Sequence, residues 1–189
     1  MSMTSVRNKI RYLLGDNSTT GYDLFTYNAS AIFNLSEDSI ISIDSVFKNE
    51  AEQNDSGFYT YNATNNKITI IGSITAGDSL QVNYTYYPNY STSELNNYLQ
   101  AALVHLSINN YYDFSYDTTD DAVYPEMEVR EENLLARVTA LLINPDNKSI
   151  RLPDVAITVP NDYPVDKKIN MLIATFKKDS SGIFSILSQ

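Results

Sequence analysis

Residues 91–114, STSELNNYLQAALVHLSINNYYDF, form the longest run in the chain that is predicted to be one helix. Ser91 as N-cap and Glu94 three positions later form a capping box that marks the start of a helix. Apolar residues then recur at intervals of three and four, which is helical spacing. They are Leu95, Leu99, Ala102 and Leu106, with Tyr98, Leu103 and Val104 widening the stripe. One helix cannot bury so wide a stripe alone, so the pattern predicts a bundle.

The residues before this helix predict a second, β-rich part of the chain. Residues 4–14 have helical spacing, and Gly15 is a C-terminal stop. From Tyr22 the period changes to two, in short runs rich in Ile, Val, Tyr, Phe and Thr and bounded by turn residues. These runs are 23–27, 31–35, 40–48, 57–61, 67–72 and 79–87, with hairpin turns expected at Asn65-Asn66 and at Ala76-Gly77-Asp78.

The remaining third of the chain returns to helical spacing. Residues 115–126 are acidic and aperiodic, which predicts a loop, and 126–144 predict a helix that stops before Pro145. An extended arm is expected over 146–160, and a last helix from Pro164 to Lys178, broken at 179–182. The predicted fold class is therefore α+β, a small helical bundle with an antiparallel β-module inserted between the first and second helices. Residues 1–21 and 88–189 form the helical domain with its C-terminal arm and tail, and 22–87 form the inserted module.

Composition narrows the class of protein. The formal net charge is -10, from 23 acidic and 13 basic side chains, which disfavours tight binding to a phosphate backbone. An acidic surface still suits a conduit along which DNA slides without adhering. The chain has no cysteine, so neither disulfides nor thiolate metal sites are available. With no export signal and no apolar segment of membrane-spanning length, we expect a soluble, unexported chain.

No motif in the sequence indicates catalysis, a metal or a cofactor. His105 is the single histidine and lies among apolar residues, so a half-buried structural role is favoured over a catalytic one. The carboxylates of residues 117–128 do not match a calcium loop, so a solvated loop is favoured. No glycine-rich phosphate loop is present. We therefore expect neither an enzyme nor a cofactor-binding protein.

Four segments of the chain resemble the head-to-tail connector (adaptor) proteins of tailed bacteriophages. They are VRNKIRYLLGD (6–16), IFNLSEDSIISIDSVFKNE (32–50), GFYTYNATNNKITIIGSITAGDSLQVNYTYY (57–87) and YSTSELNNYLQAAL (90–103). The Ala-Gly-Asp turn, the alternating strand after it and the Ser/Thr-x-x-Glu-Leu helix carry most of the likeness. The chain departs from the family pattern at one point. In the family a proline often precedes the Ala-Gly-Asp turn, whereas here Ser73-Ile74-Thr75 precedes it.

The resemblance implies a structural protein of the virion neck, which assembles in the host cytoplasm as a closed ring of twelve copies under the portal. It joins capsid to tail and lines the passage for DNA, which crosses it without specific binding during packaging and ejection. The implied partners are the portal protein, a stopper or tail-completion protein, and further copies of itself, with no membrane.

Three groups of residues are candidates for these contacts. A solvated face is the first interpretation of the basic residues of the opening helix; in a ring they would instead meet an acidic patch of the next copy. This candidate subunit interface comprises Arg7, Lys9 and Arg11 with Glu126, Glu128, Glu131 and Glu132. The candidate channel-facing loop carries Asp117, Asp120 and Asp121. The candidate docking tail, which either folds onto its own core or binds a neighbouring neck protein, carries Ile183, Phe184, Ile186 and Leu187.

A different class of protein also fits the β-module. A decoration or adhesin-type protein would use the Tyr-rich sheet to bind carbohydrate or another virion protein. Packing of Tyr84, Tyr86, Tyr87 and Tyr90 at the junction of sheet and helix is the simpler interpretation of that cluster. Deletion of residues 22–87 would distinguish the two classes. An adhesin would lose ligand binding, whereas a ring protein would still assemble through its helices.

Overall fold

The computed structural model describes residues 3–53, 57–109, 113–145, 149–152, 155–158 and 163–184, and for 149–152, 155–158 and 178–184 the backbone only. The chain divides into two compact units, Asp16–Ser91 and Met1–Gly15 with Thr92–Gln189. The first is a β-unit and the second is helical, so the predicted α+β class, with a β-module between the first and second helices, is confirmed. The unit boundaries follow residues 15 and 91, where the sequence predicted 21 and 87.

The β-unit is a two-layered antiparallel structure. The described strands are β1 (Thr19–Thr26), β2 (Ile32–Asn34), β3 (Ile40–Lys48), β4 (Ala51–Glu52), β5 (Tyr59–Asn62), β6 (Lys67–Ile70) and β7 (Ser79–Tyr86). One sheet has the order β1-β7-β3-β4 and the other β2-β6-β5. Apolar side chains from both sheets form one core, because alternate residues of each strand face inward. The buried members are Leu35, Val46, Phe58, Ile68, Ile70, Leu80, Val82 and Tyr84.

The predicted turns of the β-unit have different outcomes. The Asn65-Asn66 turn is confirmed: β5 pairs with β6, and Asn66 has a φ of 55°. The turn at Ala76-Gly77-Asp78 does not close a hairpin, because β6 and β7 belong to different sheets. It instead extends the pairing of β7 with β1, since Gly77 N donates to Tyr27 O at 3.0 Å and Tyr27 N donates to Asp78 O at 2.9 Å. The short β4, only two residues long, was not predicted.

The helical unit is built around its third helix and not around the helix predicted over residues 91–114. The described helices are α1 (Thr4–Leu14), α2 (Thr92–Ile108), α3 (Val129–Ile143) and α4 (Val165–Phe184). Helix α3 packs against each of the other three, and residues 134–141 are buried without interruption. A helix that is buried all round is typical of the centre of a bundle. Helix α2 buries the four predicted stripe residues, but Tyr98 and Val104 are exposed.

Three helix boundaries differ from prediction. Helix α2 was predicted to reach Phe114 and ends at Ile108; the Asn109 backbone N still donates to the His105 carbonyl, and the Asn109 side-chain Nδ2 donates to the same oxygen. Helix α3 begins at Val129 instead of Glu126, where Glu128 and Glu131 form a capping box. Helix α4 continues to Phe184, so the predicted break over 179–182 is wrong. A single glycine inside a helix lowers helix stability by only about 1 kcal/mol relative to alanine, which is too little to end the helix by itself.

A predicted loop and a predicted extended arm each contain a hairpin. Strands β8 (Ser115–Asp117) and β9 (Ala122–Tyr124) pair within the predicted acidic loop. Strands β10 (Ser149–Leu152) and β11 (Val155–Thr158) pair within the predicted arm, so the arm folds back on itself. Strands of three or four residues are too short to show a period, which is why both were missed.

Candidate interaction site on the helical unit

Arg7 on α1 is the centre of a charged network. Its Nη1 and Nη2 donate to Oδ1 and Oδ2 of Asp121 at 2.7 and 2.6 Å, and Nη1 also donates to Asn96 Oδ1 at 3.0 Å. The Tyr116 hydroxyl donates to Asp121 Oδ1 at 2.9 Å. The Arg7 hydrogen bond holds the pKa of Asp121 below its usual value, whereas burial raises the pKa of Tyr116. The network joins α1, α2 and the β8–β9 hairpin.

Lys9 makes a second ion pair with α3. Its Nζ lies 2.5 Å from Oε2 of Glu132, whose carboxylate is buried. Arg7 and Arg11 are buried as well, so the solvated-face interpretation of these two basic residues is wrong. The acidic partners of Arg7 and Lys9 lie in the same chain. The predicted contact of these two side chains with a neighbouring copy is therefore corrected to an internal one.

The three residues of the predicted channel-facing loop now separate into two kinds. Asp121 is neutralised by Arg7. Asp117 accepts hydrogen bonds from the backbone N of Thr119 and Asp120 within the hairpin turn, which lowers its pKa. Asp120 is exposed at the same turn and accepts a hydrogen bond from the Tyr124 hydroxyl at 3.4 Å. Of these three carboxylates, those of Asp117 and Asp120 are the two that do not pair with Arg7.

The acidic half of the predicted interface surrounds the start of α3. Glu126 and Glu128 are exposed there, beside exposed Tyr124 and Val129, while Glu131 caps the helix by accepting from Glu128 N at 2.8 Å. Glu132 is not part of this surface, because it is buried against Lys9. Exposed charge and exposed apolar area therefore occur together at one end of the helical unit.

The contact between α3 and α4 includes charged residues that the sequence did not indicate. Arg130 Nη2 donates to the Phe176 carbonyl, and the Arg130 and Arg137 guanidinium carbons lie 5.5 and 5.7 Å from the centre of the Phe176 ring. Burial lowers the pKa of Arg137. Lys168 is buried and its Nζ donates to the Pro145 carbonyl at 2.6 Å. These contacts fix α4 antiparallel on α3. A pattern of polar and apolar residues cannot predict charged side chains inside a bundle, because it assigns charged residues to the exposed face of a helix.

The remaining candidates are placed as follows. His105 is half-buried on α2. Ile183 and Phe184 lie on the backbone of α4, whereas Ile186 and Leu187 fall outside the described residues. Tyr84 packs in the core between the two sheets, and its hydroxyl bonds Ser36 and Asp23.

No described helix has the length and apolar character to cross a membrane. Within the described ranges, no three His, Asp or Glu side chains come together as a metal site. Comparison with models of protein families and with curated proteins finds no match to this chain.

Proposed function

We propose that this chain is a structural protein of a bacteriophage neck, a head-to-tail connector that forms a ring under the portal. The observation that carries the proposal is the order of the units: a β-unit inserted directly after α1 of a four-helix unit, with the Ala-Gly-Asp turn and its strand leading into α2. This is the order that the resembling segments predict. In such a protein the function lies in shape and assembly, and no side chain performs chemistry.

Charge supports the same proposal. The chain has a net charge of -10, most of it within residues 16–91, and Asp120 is exposed in the helical unit. Negative charge along a channel repels phosphate and keeps DNA mobile during packaging and ejection. The partners of the proposal are the portal, a stopper or tail-completion protein and further copies of this chain, in the neck of the virion.

The location of the chain is tested by mass spectrometry of purified virions and by immunogold labelling with an antibody to this chain. We expect the chain in every virion, with label at the vertex between head and tail. A chain absent from virions, or labelled over the whole capsid surface, would contradict the proposal.

A second candidate function, binding of carbohydrate by the β-unit, has one observation in its favour. Tyr22 and Leu24 are exposed on β1 beside a row of hydrogen-bonded polar side chains, in which Gln81 Nε2 donates to Asn83 Oδ1 at 2.8 Å. Leu24, Gln81 and Phe47 line a depression of about 420 Å³ there. An aromatic ring next to amides is a common way to hold a sugar. A panel of bacterial surface polysaccharides, tested against the chain and its Tyr22→Ala variant, would decide: binding lost in the variant supports this function.

A further inference from the structure

Strand β1 lies at an edge of the four-stranded sheet, so one of its two sides is not paired with another described strand. It is 8 residues long and pairs with β7 in a continuous register without a bulge. The other described edges of the β-unit are short or irregular: β4 has 2 residues, β2 has 3, β5 has 4, and the pairing of β3 shifts register twice. Strand β1 is therefore the longest regular edge in the described part of the β-unit.

The backbone groups of β1 point alternately toward β7 and away from it, as in any antiparallel pair. The direction is fixed by Tyr27, directly after β1, whose N donates to Asp78 O and whose O accepts from Gly77 N, both on the side of β7. Every second residue before Tyr27 also faces β7. The residues between them, whose N–H and C=O groups point outward, are Thr20, Tyr22, Leu24 and Thr26.

These outward backbone groups are open to a ligand. They form no hydrogen bond with any described residue, and the four residues that carry them are exposed. Donors and acceptors that repeat at every second residue match the backbone of an extended chain, which can add to such an edge as a further strand.

The edge also carries negative charge. The Asp23 carboxylate accepts hydrogen bonds from Ser36 N at 2.8 Å, Ser36 Oγ at 2.7 Å and the Tyr84 hydroxyl at 3.2 Å, which are all uncharged groups. Glu37 and Asp38 follow Ser36. Burial raises the pKa of Tyr84, and the nearby charges of Asp23 and Glu37 raise it further. No described residue forms an ion pair with these three carboxylates.

This charge disfavours a second copy of β1 as the added strand. An antiparallel pair of two β1 strands that uses all the outward residues puts Tyr22 opposite Leu24, and therefore Asp23 opposite Asp23 of the second copy. Like charges directly opposite each other destabilise a strand pair. A strand with Lys or Arg at that position would instead place opposite charge beside Asp23 and Glu37, so charge complementarity favours a basic partner.

We infer that β1 binds an extended strand of another protein, in which apolar and basic residues alternate. The backbone of that strand pairs with the outward groups of β1. Its apolar side chains lie beside Tyr22 and Leu24, which are 63% and 66% exposed on the outer face of the sheet, and its basic side chains lie on the side of Asp23 and Glu37. The inference concerns the β-unit alone and goes beyond the proposed ring, since it holds whether or not the chain belongs to a virion neck.

Amide hydrogen exchange of the full chain, followed by NMR, tests the edge directly. In the chain alone, the amides of Gly21, Asp23 and Phe25 should be protected by β7, whereas the outward amides exchange fast. The probe is a seven-residue peptide of alternating lysine and valine. At saturation we expect it to slow exchange of the outward amides at least tenfold, and the matched glutamate-valine peptide to leave them unchanged.

Two variants separate the backbone from the charge. Leu24→Pro removes one outward donor and keeps the bonds to β7, since proline is tolerated where the N–H of an edge strand faces solvent. It should abolish peptide binding, whereas the matched Leu24→Ala variant keeps the donor and should still bind. The double variant Glu37→Gln, Asp38→Asn, at positions outside the strands, should weaken binding about tenfold. Circular dichroism verifies folding of each variant.

The outcomes that would overturn the inference are distinct. Outward amides that are already protected in the dilute chain would show that the edge is covered. Protection that appears only as the chain is concentrated would identify a second copy as the added strand. A lysine-valine peptide that does not bind, or that binds no better than the glutamate-valine peptide, would exclude a basic partner strand. None of these results changes the expectation for the ring, which the virion and portal experiments test.

Discussion

Arg7 and Asp121 form the contact on which three segments of the helical unit converge. The Arg7 side chain is 11% exposed and that of Asp121 39%, so the pair is only partly screened by solvent. We expect Arg7→Ala to lower the free energy of unfolding by about 2 kcal/mol, less than the 3–5 kcal/mol typical of a fully buried pair. Urea denaturation measures this. Lys167→Ala, on the exposed face of α4, should change stability by no more than about 0.5 kcal/mol.

The same pair makes stability depend on pH. The pKa of Asp121 is lower in the folded chain than in the unfolded chain. Its ion pair therefore contributes to the free energy of unfolding above the unfolded-state pKa of about 3.9, and this contribution is lost as the pH falls toward the folded-state pKa. Between pH 5 and pH 3 the wild-type chain should therefore lose stability more steeply than Asp121→Asn. Asparagine suits the residue's φ of 49°, so the substitution changes charge with little strain. Equal slopes in urea titrations across this range would contradict the assignment.

At the residue scale, the sequence predicted apolar residues better than charged ones. Periodicity correctly assigned the buried stripe of α2 and the inward face of β7, because each repeats within a few residues. Nothing local indicates that Arg7 meets Asp121, 114 positions away. Buried Arg137 and Lys168 were missed for the same reason: only tertiary packing explains why a charged side chain is inside.

Two glycines, one just after a helix and one within a helix, have opposite effects on helix stability, and this gives a prediction at the scale of elements. Gly15 ends α1 with a φ of 71°, so Gly15→Ala should destabilise by about 1 kcal/mol. Gly182 lies inside α4, so Gly182→Ala should stabilise, by up to about 1 kcal/mol, and increase the helical circular dichroism signal. Thermal unfolding of both variants provides the measurement. A destabilising Gly182→Ala would favour the helix break at 179–182 instead.

Element prediction succeeded where elements are long and failed where they are short. The bounds of α1 and β3 were predicted to the residue, since α1 has clear helical spacing before Gly15 and turn residues flank β3. The β8–β9 hairpin was read as a loop because each strand has three residues. That error affected the candidate site directly, since the hairpin is what brings Asp121 to Arg7 and leaves Asp120 exposed.

At the scale of the molecule, each unit has a core of its own. The β-unit closes eight buried side chains between two sheets, and α3 is buried by the other three helices. We therefore expect residues 16–91 to fold when expressed alone, and the helical unit to fold when this segment is replaced by a short Gly/Ser linker. Dispersed amide resonances in NMR and cooperative melting would verify both. An unfolded β-unit fragment would show that it depends on the rest of the chain.

Assembly on a portal can be tested by sedimentation combined with negative-stain electron microscopy of the chain mixed with its portal. We expect the chain to cosediment with the portal and to form a coaxial ring on one face of it, with one copy per portal subunit. A chain that remains monomeric in the mixture, and leaves the portal images unchanged, would contradict it.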